Sequence, residues 1–344
     1  MAYTTINKSS DYFNTKLYTG TGSSNALTGV GFQPDWTWIK VRSEANNHEL
    51  YDAVRGVTKR IYSDLTNAED TNTAGLTAFG TDGFTVGTGG AVNGSSKTYV
   101  AWNWKAGGAG SANSDGSISS TVSANTTAGF SIVKWTGTAS AGTIGHGLGV
   151  APKVVLVKRY STSGGGWLMQ HGDLTGATYV IKLNTNGAEE NDGANFNSAF
   201  PTSSVFSVYN SNNTNASGAD HIAYCFAEKK GFSKFGSYTG NGGTDGPFVY
   251  TGFKPAFVLV KNATTSNNWF LQDSKRLGYN GANHLQKPNT NGADDTGTHI
   301  DMLSNGFKTI VSSANCNGSG NTMIYMAFAE SPLVGSNNIP ATAR

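Results

Sequence analysis

The chain has 344 residues, of which 13% are charged and 37% are hydrophobic, with 45 glycines and a net charge of +2. Disordered chains are poor in hydrophobic residues and strongly charged, whereas this one contains 7 Trp, 14 Tyr and 17 Phe. Aromatic side chains supply large buried areas between tight turns, so the composition predicts an all-β protein. The small net charge excludes the basic surface that phosphate binding requires, so nucleic acid is not expected as a partner.

The chain begins with a segment that precedes any repeated phrase. Residues 1–16 are therefore expected to form an N-terminal attachment arm. The opening letters, MAYTTINK, contain no apolar segment, so no signal peptide is expected and synthesis in a cytoplasm is predicted. No run approaches 18 apolar residues, so no membrane partner is expected.

Two phrases then mark the first strands of a unit, and each phrase occurs three times. An opening strand ends at Tyr-Thr-Gly or Trp-Thr-Gly, and a Gly-x-x-Pro step leads into a strand that ends on lysine. The prolines lie 118 and then 103 residues apart, a period that suits a β-sandwich of about 100 residues and not a solenoid repeat of ~20–50. The matching residues are Tyr18, Trp135 and Tyr238 in the turns, Pro34, Pro152 and Pro255 in the steps, and Lys40, Lys158 and Lys261 at the strand ends.

The middle of each unit carries polar residues that are candidates for chemistry. A histidine or tryptophan stands four residues before a polar residue, and an Asn-rich acidic segment follows before a turn. In two units the polar residue is an aspartate with an arginine three positions later. The pairs are His48/Asp52, Trp167/His171 and Trp269/Asp273, the arginines are Arg55 and Arg276, and the acidic segments are 67–70, 186–190 and 291–295.

The last strand of each unit is the most apolar. Strand side chains alternate between faces, so residues two apart share a face. A bulky pair at this spacing is kept in all three units, which indicates core packing in preference to an exposed sugar-stacking platform. The pairs are Trp102/Trp104, Tyr224/Phe226 and Met326/Phe328.

These marks predict three tandem β-sandwich units, 17–105, 129–229 and 230–333, followed by a C-terminal tail, 334–344. Residues 106–128 are small and polar and read as a Gly/Ser linker. No such stretch separates the second and third units. Units two and three are therefore expected to form a rigid pair, with unit one hinged or docked separately.

The phrases resemble a known group of proteins. Tyr-Thr-Gly-x-Gly, Gly-Phe-x-Pro, Asp-Gly-Phe or Asn-Gly-Phe, and Tyr-Val-Ala-Trp-x-Trp-Lys-Ala-Gly-Gly are similar to domains of tail and other virion proteins of tailed bacteriophages, especially aquatic ones. The resemblance covers residues 12–333. It implies that the units are lectin-like or jelly-roll-type β-sandwiches. The repeated phrases themselves mark about eight short strands in each unit, so the expected fold is all-β, with three tandem units. It also implies a virion component and brings no catalytic residues with it.

The acidic segments are the best enzymatic candidates, because glycoside hydrolysis needs two carboxylates ~5–10 Å apart. Adjacent carboxylates on an extended chain point in opposite directions, so solvated loop tips are the favoured interpretation. Ca²⁺ binding by these oxygen-rich loops is an alternative, although the spacing of a calcium loop is missing. The adjacent pairs are Glu69/Asp70, Glu189/Glu190 and Asp294/Asp295.

The other polar positions are also interpreted as structural. An aspartate with its arginine is expected to form a salt bridge that ties a loop to its sheet. A lysine at a strand end is expected to reach water and protect the edge. The six histidines and Cys225 and Cys316 show no metal-ligand spacing. No cofactor is expected.

Three functions remain open. The first is a non-enzymatic virion protein, a tail- or fibre-associated adhesin that presents lectin-like domains to host surface glycan. The second is a capsid or tail decoration protein without receptor binding, and the third is a polysaccharide depolymerase. Linked modules raise effective concentration, so repetition suits an adhesin.

The adhesin hypothesis makes specific expectations. Candidate glycan contacts are loop tyrosines, Tyr160, Tyr209 and Tyr279, although scattered surface tyrosines are an equally good interpretation. The expected partners are other virion proteins, a host glycan and further copies of the chain, as a trimer if it forms a fibre. The expected location is the virion.

Overall fold

The computed structural model describes residues 3–276, 284–297 and 299–334 of the chain. The named strands pair with one another in the antiparallel sense, and the helical segments of this part are one turn long. The predicted all-β sandwich fold is confirmed. Three units follow one another, formed by β1–β9, β10–β19 and β20–β28.

Unit one packs a six-stranded sheet, in the order β1-β9-β3-β4-β5-β6, on a three-stranded sheet, β2-β8-β7. The closing strand β9 is central because it pairs with both β1 and β3. A 3-10 turn (Ser9–Asp11) precedes the first strand and a short helix α1 (Gly90–Asn93) precedes the last. The strands are β1 (Phe13–Thr19), β2 (Asn25–Leu27), β3 (Trp36–Val41), β4 (Glu49–Asp52), β5 (Lys59–Tyr62), β6 (Asp70–Thr71), β7 (Leu76–Gly80), β8 (Gly83–Val86) and β9 (Thr98–Trp104).

Unit two has the same plan with an extension. Its large sheet has the order β10-β11-β12-β19-β14-β15-β16-β17, and its small sheet is β13-β18. The linker predicted over 106–128 is wrong in part, because this segment contributes β10 and β11, and β11 pairs with β12. The strands are β10 (Ser111–Asn113), β11 (Ser120–Asn125), β12 (Phe130–Thr136), β13 (Gly142–Gly145), β14 (Val154–Arg159), β15 (Trp167–His171), β16 (Tyr179–Lys182), β17 (Glu190–Asn191), β18 (Val205–Val208) and β19 (Asp220–Phe226).

Unit three repeats the plan of unit one, with sheets β20-β28-β22-β23-β24-β25 and β21-β27-β26. Its proline step lies inside a strand, and the pairing of β22 with β28 shifts register on both sides of Pro255, as expected for a residue without an N–H donor. The elements are β20 (Ser233–Thr239), β21 (Phe248–Tyr250), β22 (Phe253–Asn262), β23 (Phe270–Asp273), β24 (His284–Gln286), β25 (Asp295–Thr296), β26 (Ile300–Leu303), β27 (Gly306–Thr309), α2 (Ala314–Asn317) and β28 (Thr322–Pro332).

Each sandwich encloses its own small core between its two sheets. The opposite face of each large sheet is also apolar and packs against the other two units in one central core. Tyr224 of unit two stacks on Trp36 of unit one with ring centroids 4.3 Å apart. Phe257 of unit three lies 5.6 Å from Trp104, and Phe226 lies 5.8 Å from Phe328.

The central core changes the expected arrangement of the units. The bulky pairs of the three closing strands are buried, as predicted, but they face the neighbouring units and not the inside of their own sandwich. Unit one therefore packs as closely as the other two, and the expectation that it is hinged or docked separately is wrong. The physical reason is that each large sheet is apolar on both faces, so each unit needs the others to cover its second face.

The N-terminal segment belongs to the same core. Ile6 is 2% exposed among the central-core residues, and the Tyr3 hydroxyl donates to the carbonyl of Gly252 in unit three at 2.8 Å. The described part of the expected attachment arm is therefore packed on the chain itself. Of the predicted tail, residues after 334 lie outside the described part of the chain.

Candidate functional site

The interfaces between units, called seams below, contain most of the polar residues that the sequence singled out. Asp52 of unit one is buried, and its Oδ2 accepts from the Tyr224 hydroxyl of unit two at 2.8 Å. The same oxygen accepts from Arg55 Nε at 2.6 Å, and Oδ1 accepts from the backbone N–H groups of Val54 and Arg55. The predicted salt bridge of Asp52 with Arg55 is present, and it also orients a contact across a seam.

The seam between units three and one has the same construction. Asp273 Oδ2 accepts from the indole N–H of Trp102 at 3.0 Å and from Arg276 Nε at 2.6 Å. Both charged side chains are fully shielded from solvent. A buried carboxylate is tolerated only when it is paired and hydrogen-bonded, and the arginine meets this need in units one and three.

Unit two departs from this pattern in a way that its neighbour explains. The residue of unit three that matches Trp102 and Tyr224 is Met326, which has no hydrogen to donate. His171 instead places Nε2 3.2 Å from the carbonyl oxygen of Tyr325, while its Nδ1 accepts from the N–H of Asp173. A carbonyl can only accept, so Nε2 carries the proton. Burial lowers the pKa of His171 to about 4, so the ring is neutral at pH 7 and needs no arginine.

The strand-end lysines are buried, and the expectation that they reach water is wrong. Each is 0% exposed. Lys158 donates to the carbonyl of Leu65 in unit one at 3.3 Å, and Lys261 donates to the carbonyl of Asn186 in unit two at 3.3 Å. Burial lowers the pKa to about 7 for Lys158 and about 8 for Lys261, and also to about 8 for Lys40 despite the attraction of Asp294. The lysines end strands at the seams, where a neighbouring unit covers them.

The acidic segments form a cycle of backbone hydrogen bonds across the seams. In each case the N–H of an acidic residue donates to the carbonyl of the residue two places after a strand-end lysine in the next unit. These bonds are Glu69 to Tyr160 at 2.7 Å, Glu189 to Ala263 at 2.8 Å and Asp294 to Arg42 at 2.9 Å. The prediction that the acidic segments are solvated loop tips is therefore wrong in part, because one residue of each segment is hydrogen-bonded to a neighbouring unit.

Asp294 is the most heavily used of these acids. Its carboxylate pairs with Arg42 of unit one at 2.7 Å and with Arg276 at 2.9 Å, and it lies 3.0 Å from His284 Nδ1. Burial alone would raise the pKa of Asp294, but the two guanidinium groups outweigh it and the pKa is lowered. The carboxylate is thus held ionised as part of the seam.

A repeated asparagine that the sequence reading missed locks each opening turn. Asn93, Asn215 and Asn317 are buried, and each Oδ1 accepts from the backbone N–H that follows the Thr-Gly turn, in Thr21, Thr138 and Asn241, at 2.8–2.9 Å. The turn glycine must approach this loop closely. A Cβ on Gly137 would lie 2.2 Å from the carbonyl oxygen of Ala216. The sequence signal for this contact is an asparagine that occupies the same position in all three units, a few residues before each closing strand.

The loop tyrosines expected to contact glycan behave differently from one another. Tyr160 is 8% exposed, so it is not a surface residue; its ring lies 5.8 Å from the guanidinium of Arg55, within the seam. Tyr209 is 45% exposed and stays a candidate. Tyr279 lies outside the described residues.

Another pair of aromatic residues is more exposed and lies on a strand. Phe248 is 47% and Tyr250 is 54% exposed on β21, while Val249 between them is buried. The two rings therefore share the outer face of the small sheet of unit three. Tyr3 continues this row, because its hydroxyl lies beside that of Tyr250, and burial followed by this contact raises the pKa of Tyr3 to about 12. The pattern Phe-Val-Tyr could have revealed the pair from alternation alone.

Comparison with known proteins gives one result for nearly the whole chain. Residues 8–332 match a family model described as Domain of unknown function (DUF7483). The chain belongs to this family. No curated protein and no solved structure matches it.

The chemistry open to this DUF7483 chain follows from these contacts. Its repeated carboxylates and lysines are used between units, and several are closed off from solvent. Within residues 3–276, 284–297 and 299–334, no group of three or more His, Cys, Asp or Glu side chains is arranged to hold a metal ion. Cys225 and Cys316 are buried free thiols, and burial raises the pKa of both. Over the same residues, no helix is long and apolar enough to cross a membrane.

Proposed function

We propose that this chain is a non-enzymatic bacteriophage virion protein, a tail- or fibre-associated adhesin that presents β-sandwich units to host surface glycan. The observation that carries the proposal is that two different sets of residues in this chain hold the units together and face solvent. The polar residues that recur between units hold the seams, whereas exposed aromatic rings lie outside the seams and differ between units. In this proposal the exposed residues that vary between units contact the glycan, and the polar residues that recur in all three units keep the units in fixed positions.

The central core supports a binding role that does not depend on motion between units. Three sheets share one apolar core with stacked rings across the seams, and close-packed interiors have low compressibility. A rigid platform keeps exposed rings in fixed positions, which lowers the ordering cost of binding. Partners in this proposal are other virion proteins and further copies of the chain.

The proposal is tested on particles of the phage that encodes the chain. Immunogold labelling should place the protein on an exposed tail or fibre surface, and purified protein added to host cells should reduce phage adsorption. A chain that is absent from purified particles would overturn the proposal. A location confined to capsid contacts, with adsorption unaffected, would support the decoration alternative instead.

The depolymerase alternative has its own measurement. Purified protein incubated with host polysaccharide should release no reducing ends above the level of a heat-denatured sample. Release above that level would refute the non-enzymatic role. Asp294→Asn would then be compared with Asp115→Asn, a change at an exposed loop carboxylate of unit two, and loss in Asp294→Asn alone would assign the activity to the acidic segment only when its urea unfolding midpoint matches that of the wild type.

A further inference from the structure

We propose that Phe248, Tyr250 and Tyr3 form the glycan contact site of this chain, called the aromatic strip below. The ligand class rests on the proposed function, but the site itself is read from the structure. Strand side chains two apart share a face and are ~7 Å apart along the strand. Two exposed rings at that spacing present consecutive flat apolar surfaces to a linear ligand.

The surroundings of the strip hold the rings in place. A Cβ on Gly306, the cross-strand partner of Tyr250, would lie 3.1 Å from Phe248 Cε2, so this glycine leaves room for the Phe248 ring to lie across the strand. A Cβ on Gly252 would lie 2.7 Å from the Tyr3 hydroxyl. On the Tyr3 ring, the ammonium of Lys230 lies 4.4 Å from the centroid and fixes the end of the strip.

The strip also carries hydrogen-bonding groups beside its rings. Lys308 is the cross-strand partner of Phe248, so the two side chains share a face. Its ammonium forms an ion pair with the exposed carboxylate of Asp245. Asp301, the cross-strand partner of Lys308, and Lys230 on the Tyr3 ring complete the charged groups around the strip, and these two positive and two negative groups give no net charge. This combination suits a neutral sugar, whose C–H face stacks on a ring while its hydroxyl groups meet polar neighbours at the edge.

The size of the strip argues against a protein partner. An aromatic side chain presents ~150–250 Å² when fully accessible, so two rings about half exposed offer on the order of 200 Å². A stable protein interface buries roughly 800 Å² on each partner. The strip is therefore large enough for a few sugar rings and too small, by itself, for a second copy of the chain.

The strip belongs to unit three alone. The positions that match Phe248 and Tyr250 are Ala26 and Thr28 in unit one and Thr143 and Gly145 in unit two, because β2, β13 and β21 pair equivalently with Phe84, Phe206 and Phe307. At this position of the fold, the described residues therefore provide one such site and not three. The avidity expected from repetition has to come from several chains on one particle.

The test measures binding of purified full-length protein to immobilised neutral oligosaccharides of glucose, galactose, mannose and N-acetylglucosamine by biolayer interferometry. Loss of one ring in Phe248→Ala or Tyr250→Ala should weaken binding about two- to twelvefold. Phe248→Trp should retain it. The matched control is Phe200→Ala, at a residue of unit two that is 43% exposed, and it should bind as wild type.

The outcomes separate the site from the function. If wild type binds the panel and both ring-deletion variants bind equally well, the strip is not the site while the glycan-binding function stands. The same conclusion follows if Tyr209→Ala alone loses binding. If wild type binds no sugar of the panel at millimolar concentration, the strip is overturned together with its ligand class. Immunogold labelling then still decides the virion role.

Discussion

The contact between Tyr224 and Asp52 allows the shared core to be tested by a small change. Tyr224→Phe removes one hydroxyl that donates to a buried carboxylate across the seam, and leaves the bonds of Asp52 to Arg55 in place. A hydrogen bond to a charged group contributes about 1.5–3 kcal/mol. We expect the free energy of unfolding to fall by that amount, because no water reaches the site to replace the donor.

Asp52→Ala should cost more, about 3–5 kcal/mol, since it leaves the buried guanidinium of Arg55 without its closest partner. The double variant Asp52→Ala/Tyr224→Phe should cost less than the two single changes together, because both remove the same bond. Tyr209→Phe is the matched control. It changes an exposed tyrosine of the same unit and should alter stability by less than about 0.5 kcal/mol.

The assay is urea unfolding followed by tryptophan fluorescence. Four of the seven tryptophans lie in unit one, whereas Tyr224 lies in unit two, so the signal reports on the neighbour of the altered unit. A single transition shifted to lower urea is expected. An unchanged fluorescence transition, or separate transitions of which only one moves, would refute the reasoning that the units share one cooperative core.

Three further predictions use the same unfolding measurement. Gly137→Ala should destabilise the chain by about 2 kcal/mol or more, because its Cβ would overlap a backbone carbonyl. The control Gly176→Ala has open space around its Cβ and should be neutral or slightly stabilising. Equal effects of the two changes would contradict the turn lock. His171→Asp should cost about 3–5 kcal/mol, because a buried carboxylate would face the Tyr325 carbonyl oxygen with no arginine to pair with, and an unchanged stability would contradict a stabilising Nε2–H hydrogen bond. Lys158 has a folded pKa of about 7, below the unfolded value of 10.5, so the unfolded state binds more protons between these values. This lysine should therefore make stability rise with pH by up to about 1.4 kcal/mol per pH unit. Lys158→Met should make the rise less steep, leaving the contributions of Lys40 and Lys261, and an equal slope in the variant would contradict this reasoning.

Much of the unit plan could be predicted because it depends on short-range chemistry. Alternation in the first closing strand predicted that Trp102 and Trp104 share one buried face. The Thr-Gly turns marked strand ends, and two of the three proline steps, at Pro34 and Pro152, lie just before a strand. The alternation of exposed Phe248, buried Val249 and exposed Tyr250 in β21 carries the same kind of information. The segment 106–128 was misjudged because its small polar residues lack the apolar pattern of a strand, although β11 needs only the open edge of β12 to pair.

The sequence by itself determined that this chain is all-β and built from three similar units, since strand period, turn chemistry and repetition act over a few residues. Only the tertiary structure decided what the recurring polar residues do. Their partners lie in other units, 154–172 residues away for the Asp52, His171 and Asp273 contacts. Whether a lysine at a strand end reaches water, as Lys158 does not, depends on which unit covers it. Burial of both faces of each large sheet brings the units together. In that packing, the polar residues that the sequence offered as candidates for a site form contacts between units.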